Sequence, residues 1–331
     1  MGLTGYRLFV GTVHDGQKHD YRKFDDLKAI PNTAAPTGRV KLDYIDSLTA
    51  DLTPRLKEVL RFGSSSDEDE VEGVARSSGG CLRFTEVNPS PLLVELKFDQ
   101  GVVNSDGILV DPNGLNPDQD LKNFSTVFGY RALITYLPDS DRAIIAVETR
   151  GRSCPYQVLR RALRMSSSNP WRIQTHQNIA DLAAVRQFLR TADMEEVRLR
   201  SSGYNRDGQH AMGASILNVD VDTQKLSDFL RQKITSWAEH QLGALELDSA
   251  AEITAVATEV AGAGTNLDFN DVKIQARGNH ATKTLGPNSD YRKFVYDLGP
   301  DLVSDSDFFN EVRTSCAALI NTIQAFAKPK K

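Results

Sequence analysis

The sequence predicts an α+β protein in which helices pack against antiparallel sheets. Stretches with an apolar residue at every third or fourth position indicate helices, and short stretches that alternate apolar and polar residues indicate strands with one buried face. Of the 331 residues, 40% are hydrophobic and 25% are charged, as in an ordinary globular protein. No apolar run approaches the ~18 residues that a membrane-spanning helix needs, so we expect a cytoplasmic protein.

Residues 1–129 predict an N-terminal α+β region. Its acidic, serine-rich stretch has nothing to bury and is expected to be a mobile loop. We expect a helix within 42–62 that Asp51 or Thr53 caps, with Pro54 in its first turn. The predicted elements are a strand at 6–10, a helix within 42–62, the acidic loop near 63–73, and two strands within 81–98.

Residues 130–331 predict a second α+β region. It opens with a β-hairpin whose two strands flank the turn-forming residues 138–141. Trp237 lies in the apolar stripe of a helix and is expected in the core. The elements that follow the hairpin are helices at 156–165 and 178–191, a strand at 194–201, a helix at 226–242, a strand at 271–277 and a helix at 308–326.

The charge is distributed unevenly along the chain. The formal net charge is −5, yet residues 150–206 contain 11 arginines and only four acidic residues, which is a net charge of +7. Arginine holds a phosphate with two donors and keeps its charge at all physiological pH values. A positive stripe on an acidic protein is typical of a polyanion binder. The alternative is that these arginines form solvated helix faces and internal salt bridges.

Two predicted strands alternate cationic and apolar residues, which would give a sheet with one packed face and one positive face. Such a face suits a duplex backbone, to which phosphate contacts supply affinity without sequence readout. The candidate DNA-binding residues are Arg198, Arg200 and Arg206, Lys273 and Arg277, and, on the helix at 156–165 and the turn before it, Arg150, Arg152, Arg160, Arg161 and Arg164.

Catalytic motifs are scarce. The three cysteines are far apart and the six histidines show no HExxH spacing, so we expect neither a zinc site nor a cofactor. Glu95 and Lys97, two apart on one strand, could serve a metal-dependent nuclease if Glu86 or the acidic run at 67–72 supplied a second carboxylate. A third hypothesis is an interaction module whose arginines pair with an acidic protein.

Three segments resemble the RexA phage-exclusion proteins of lambda-type prophages and, more remotely, the RdgC recombination-associated proteins. The hairpin ALITYLPDSDRAIIAVETRG, the strand EVRLRSSGYNRD and the strand DVKIQARGNHATKTLG carry the similarity, which covers about 131–325. In the last segment Arg277 matches the second basic position of the family, whereas Gln275 stands at the first. Lys273 on the same face is expected to replace the missing charge.

The resemblance implies a non-enzymatic homodimer that binds double-stranded DNA without sequence preference. It further implies a nucleoid-associated protein that acts in phage exclusion, an abortive-infection form of antiviral defence, together with a membrane-protein partner. Modulation of recombination is the alternative that the RdgC likeness implies.

Overall fold

A computed structural model describes residues 4–14, 21–28, 41–62, 80–103, 108–109, 119–120, 125–151, 153–168, 172–205, 215–243, 246–262, 267–279, 281–299 and 303–325. The helices are α1 (Tyr44–Leu52), α2 (Tyr156–Ser166), α3 (Leu182–Thr191), α4 (Gln224–Leu242), α5 (Ser249–Ala261) and α6 (Asp305–Ala325). The strands are β1 (Thr4–His14), β2 (Tyr21–Arg22), β3 (Leu27–Lys28), β4 (Lys41–Leu42), β5 (Leu60–Phe62), β6 (Gly80–Ser90), β7 (Leu93–Val103), β8 (Ile108–Leu109), β9 (Gln119–Asp120), β10 (Ser125–Tyr136), β11 (Arg142–Arg150), β12 (Arg172–Ile179), β13 (Asp193–Asn205), β14 (Ile216–Asp220), β15 (Leu267–Arg277), β16 (Thr282–Leu285) and β17 (Tyr296–Gly299).

The fold is mixed α and β, with antiparallel sheets, as the sequence predicts. The chain forms two compact units, neither of which is continuous in sequence. The first unit comprises Met1–Arg7 and Asn178–Val303, and the second comprises Leu8–Gln177 and Ser304–Lys331. The predicted division at 129/130 differs from this one. It falls inside β10, which pairs along its length with β7 and so belongs to the same sheet as the strands before it.

The second unit is built on a large sheet with the strand order β12-β1-β11-β10-β7-β6-β5. Because side chains alternate along a strand, β10 and β11 present one set of residues to each face. Ala132, Ile134 and Ile145 face the core shared with α1 and α2. The opposite faces of β10 and β11 pack against α6, which contributes Phe308 and Val312, both fully buried.

Helix α1 begins earlier than the sequence predicts. Its cap is Asp43, whose carboxylate accepts hydrogen bonds from the backbone nitrogens of Ile45 at 2.7 Å and Asp46 at 3.4 Å. Thr53 and Pro54 belong to a single 3₁₀ turn that follows the helix. The predicted capping by Asp51 or Thr53 is therefore wrong, because a carboxylate just before Tyr44 satisfies the first free amides of the helix. The predicted acidic loop near 63–73 lies outside the described residues.

The first unit contains a four-stranded antiparallel sheet with the order β14-β13-β15-β16. Its buried face includes Val197 and Leu199 of β13 and Ile274 of β15, all fully buried, and α4 packs on β13 while α5 packs on β15. Trp237 of α4 is fully buried, as predicted. Its indole nitrogen donates to Glu252 Oε2 of α5 at 2.7 Å, which joins the two helices. No helix in the described part of the chain is long and apolar enough to cross a bilayer.

Candidate nucleic-acid interface

The exposed face of the four-stranded sheet presents the predicted cations. On β13 the buried residues Val197 and Leu199 alternate with the exposed residues Arg198 and Arg200. On β15 the same alternation leaves Lys273 and Arg277 exposed, with Gln275 half-buried between them. The predicted alternation is confirmed, since burial of every second residue on each strand sends the charged residues to solvent.

The strand register brings two of these cations together. Arg198 of β13 stands directly opposite Lys273 of β15, and Arg200 stands opposite Asp271. Like charges placed directly opposite each other in a sheet are destabilising, because their side chains lie only ~5 Å apart at Cβ. An anion that spans both groups would relieve this repulsion.

Carboxylates on the same face already compensate part of the charge. The described residues of this face form three ion pairs: Arg198 Nη2 with Glu196 Oε1 at 3.2 Å, Lys273 Nζ with Asp271 Oδ2 at 3.8 Å, and Arg277 with Glu195. Arg200 is exposed and forms no ion pair with any residue that the structure describes. The sheet face is thus a mixed surface, whose cations extend into solvent beside paired carboxylates. Arg206 lies outside the described residues.

Helix α2 in the second unit gives a different cationic surface. Tyr156, Leu159 and Leu163 face the core, while Arg160 and Arg161 are half-buried and Arg164 is exposed. The helix contains no acidic residue. Arg160 and Arg161 lie at the i,i+4 and i,i+3 spacings from Arg164, so the three arginines are neighbours on one side of the helix. Asp51 of α1, which lines the same cavity as Arg164, places one carboxylate beside them.

Arg55 joins this surface, although no motif in the sequence points to it. Its guanidinium Nη1 donates to the carbonyl oxygen of Met165 at 3.5 Å, in the last turn of α2, and its side chain is exposed. A cation that binds the free carbonyls at a helix C-terminus is favourable. No local sequence pattern links residue 55 to residue 165, because only the packing of α1 and the following 3₁₀ turn beside α2 brings them together.

Arg150, which the sequence predicts to extend the DNA-binding surface, is engaged within the protein. It pairs with Glu148 Oε1 at 3.2 Å, and its guanidinium carbon lies 5.3 Å from the centre of the Tyr130 ring. Its side chain is only 28% exposed. Arg152 lies outside the described residues.

The candidate residues fall into both units. Arg198, Arg200, Lys273 and Arg277 belong to the first unit, whereas Arg150 and the arginines of α2 belong to the second. Each surface is therefore a separate candidate for contact with a polyanion.

The residues of the nuclease hypothesis are held by helix α6. Glu95 pairs with Arg313, and Lys97 pairs with Glu86 at 2.9 Å and with Asp305 at 2.5 Å. The hydrogen bond to Asp305 raises the pKa of Lys97 above its usual value. No group of three or more His, Cys, Asp or Glu side chains in the described ranges is arranged to hold a metal ion. The ion pairs with Arg313 and Asp305 fasten α6 to the sheet.

Comparisons with known proteins give no relative. No family model matches the chain, and neither the curated proteins nor the solved structures contain a match. The likeness to the RexA and RdgC proteins therefore remains a prediction from the sequence.

Proposed function

We propose that the protein binds double-stranded DNA through the phosphate backbone, without sequence preference and without a catalytic step. The observation that carries the proposal is helix α2, whose solvent side holds Arg160, Arg161 and Arg164 with no acidic residue on the helix. Guanidinium groups on one side of a helix can each hold a phosphate through charge-assisted hydrogen bonds. The exposed cations of β13 and β15 supply further phosphate contacts.

Binding of this kind has a recognisable dependence on salt. Each phosphate neutralised by an arginine releases condensed counterions, so affinity falls as salt rises. Contacts with roughly 6–10 phosphates would reduce affinity about 10³- to 10⁵-fold between 50 and 200 mM salt. Contacts limited to the backbone also predict equal affinity for duplexes of different sequence.

The decisive experiment measures fluorescence anisotropy of a labelled mixed-sequence duplex with the full chain at two salt concentrations. The test variant is Arg161→Gln with Arg164→Gln, with Arg164→Gln alone as a second variant that leaves half-buried Arg161 in place. The control is Arg190→Gln with Lys225→Gln, which removes the same charge from exposed positions on α3 and α4. We expect the test variant to bind about tenfold more weakly, with a salt slope smaller by about 2, and the control to bind like the wild type.

Two outcomes would reject the proposal: no binding of duplex at low salt, or an affinity that does not change with salt. In the first case, binding to an acidic polypeptide would favour the interaction module instead. Nicking of a plasmid in the presence of Mg²⁺ that Glu95→Ala abolishes would favour the nuclease.

The RexA-like resemblance extends the proposal to a cellular role. It supports a homodimer associated with the nucleoid that acts with a membrane-protein partner in phage exclusion, or, through the RdgC likeness, in modulating recombination. Light scattering of the purified chain tests the homodimer. Plaque counts of superinfecting phage on bacteria with and without the wild-type chain, and with the α2 variant, test whether exclusion depends on DNA binding.

A further inference from the structure

The cations on the exposed sheet face extend further into solvent than the carboxylates beside them. The side chains of Arg198, Lys273 and Arg277 are 52%, 55% and 63% exposed. Their partners are much less exposed: 25% for both Glu196 and Glu195, and 28% for Asp271. At each of these three ion pairs, a ligand arriving from solvent therefore meets the cation before its carboxylate partner.

The strand geometry explains two of these pairs. Residues i and i+2 of a strand share a face, so Glu196 lies beside Arg198 and Asp271 lies beside Lys273. The third carboxylate, Glu195, also accepts a hydrogen bond from Gln275 Nε2 at 3.4 Å and so spans β13 and β15 near Arg277. A register shift between Met194 and Glu196 in the β13–β15 pairing places Glu195 there.

We infer that Glu195, Glu196 and Asp271 are specificity-determining residues that restrict this sheet face to ligands of high linear charge density. The inference rests on the proposed function and concerns which polyanions the face accepts. An anion that binds here must replace the carboxylates as partners of several cations at once. Exposed ion pairs are weak, so a sufficiently dense polyanion replaces them at little cost.

Duplex DNA and acidic polypeptides differ in linear charge density. Duplex DNA presents one charge per ~1.7 Å of its axis, whereas extended polyglutamate presents one per ~3.4 Å. The duplex therefore offers several phosphates to neighbouring cations together. Polyglutamate offers about half as many charges over the same length. It therefore forms fewer new contacts with the cations for each ion pair of the protein that it breaks. The carboxylates thus exclude acidic proteins from a surface that a uniform cationic patch would let them bind.

The experiment compares two triple variants of the full chain. The test variant is Glu195→Gln, Glu196→Gln and Asp271→Asn. The control is Asp228→Asn, Glu239→Gln and Glu259→Gln, which removes three ion-paired carboxylates from helices α4 and α5 of the same unit. Both variants change the net charge equally, so any difference between them comes from the sheet face.

The measured quantity is the ratio of affinities for a mixed-sequence duplex and for polyglutamate, at one salt concentration. In the test variant we expect duplex affinity to rise about tenfold and polyglutamate affinity to rise further, so that the ratio falls about tenfold. In the control we expect the ratio to stay close to the wild-type value. Thermal unfolding checks that each variant is folded, and Asp271→Asn alone, against Glu259→Gln, repeats the test if the triple variant unfolds.

Failure of this inference and failure of the proposed function give different results. If the wild type binds duplex but the ratio is the same in both triple variants, the carboxylates do not determine specificity and the DNA-binding proposal stands. If neither the wild type nor the variants bind duplex at low salt, both proposals are rejected.

Discussion

Arg131 of β10 and Glu148 of β11 form a buried ion pair on the sheet face that α6 covers. Glu148 is completely buried, and its Oε2 accepts hydrogen bonds from the backbone nitrogen of Arg131 at 3.0 Å and from Nε at 2.9 Å. Its Oε1 accepts a further bond from Arg131 Nη2 at 3.2 Å. The guanidinium carbon also lies 4.2 Å from the centre of the Phe308 ring of α6, so the pair connects the sheet to the helix.

Removing one partner of this pair should be strongly destabilising. In Glu148→Ala the buried Arg131 keeps its charge but loses its main acceptor, and we expect a loss of about 3–5 kcal/mol in the free energy of unfolding. Urea denaturation followed by circular dichroism measures the loss. Arg83→Met, which breaks the more exposed pair of Arg83 with Asp99, serves as control and should cost less than about 1 kcal/mol. Equal losses in the two variants would contradict the role of burial.

The attachment of α6 should weaken in acid. Hydrogen bonding to Lys97, with a further contribution from Arg131, holds the pKa of Asp305 below its usual value of 3.8. A carboxylate whose pKa is lower in the folded state stabilises the protein above its unfolded-state pKa, and this contribution is lost as pH falls through the folded-state pKa. We therefore expect Asp305→Asn to reduce the free energy of unfolding near neutral pH and to lessen its decline below about pH 4. Urea titrations at several pH values test this, and parallel curves for the two proteins would contradict it.

The thiol of Cys316 should report on the position of α6. Burial raises the pKa of Cys316 to about 12, and the side chain is 2% exposed. At about pH 8 the group is therefore neutral and shielded, so iodoacetamide should not modify it in the native protein. Cys154 is half-buried and should react sooner. Peptide mapping by mass spectrometry, with and without urea, distinguishes the two sites; native-state labelling of Cys316 at the rate of Cys154 would show that α6 opens readily.

Arg200 and Arg198 should contribute unequally to DNA binding. Arg198 is paired with Glu196, whereas Arg200 forms no ion pair with a described residue, because Asp271, which stands opposite it, pairs with Lys273. A phosphate at Arg200 therefore breaks no ion pair between described residues. We expect Arg200→Gln to weaken duplex binding more than Arg198→Gln, by roughly threefold, and equally for duplexes of different sequence. Anisotropy titrations with two unrelated sequences measure both effects. A larger loss for Arg198→Gln would argue that the ion pairs do not limit binding.

Local periodicity was sufficient to predict the strands and helices that carry the candidate site. One buried face of a strand or helix can be read from the spacing of apolar residues that are near each other in sequence. The strand around Val197 and Leu199 and the helix around Leu159 and Leu163 both show such a face. Helix α5 was not predicted. Its sequence is rich in alanine and has few large apolar residues, so only Ile253, Val256 and Ala257 are buried in it.

Ion pairs between neighbouring positions of a strand follow from the same alternation as exposure, whereas ion pairs between distant positions do not. Glu196 lies two positions before Arg198, and Asp271 lies two before Lys273, so the same alternation that exposed the cations also places these carboxylates beside them. The attachment of Glu95 to Arg313 joins positions 218 residues apart. No sequence pattern reveals such a contact, because it depends on which sheet face the last helix covers.

The interrupted course of the second unit has a consequence for biosynthesis. Its sheet strands leave the ribosome early, but α6, which covers Arg131 and Glu148, follows only after Asn178–Val303 has been made. At roughly 5–20 residues per second, that intervening stretch takes on the order of ten seconds to translate. Throughout this interval the charged pair and the apolar residues that share its face, Leu133 and Ile144, lack the helix that covers them, so we expect ribosome-associated chaperones to bind the nascent sheet.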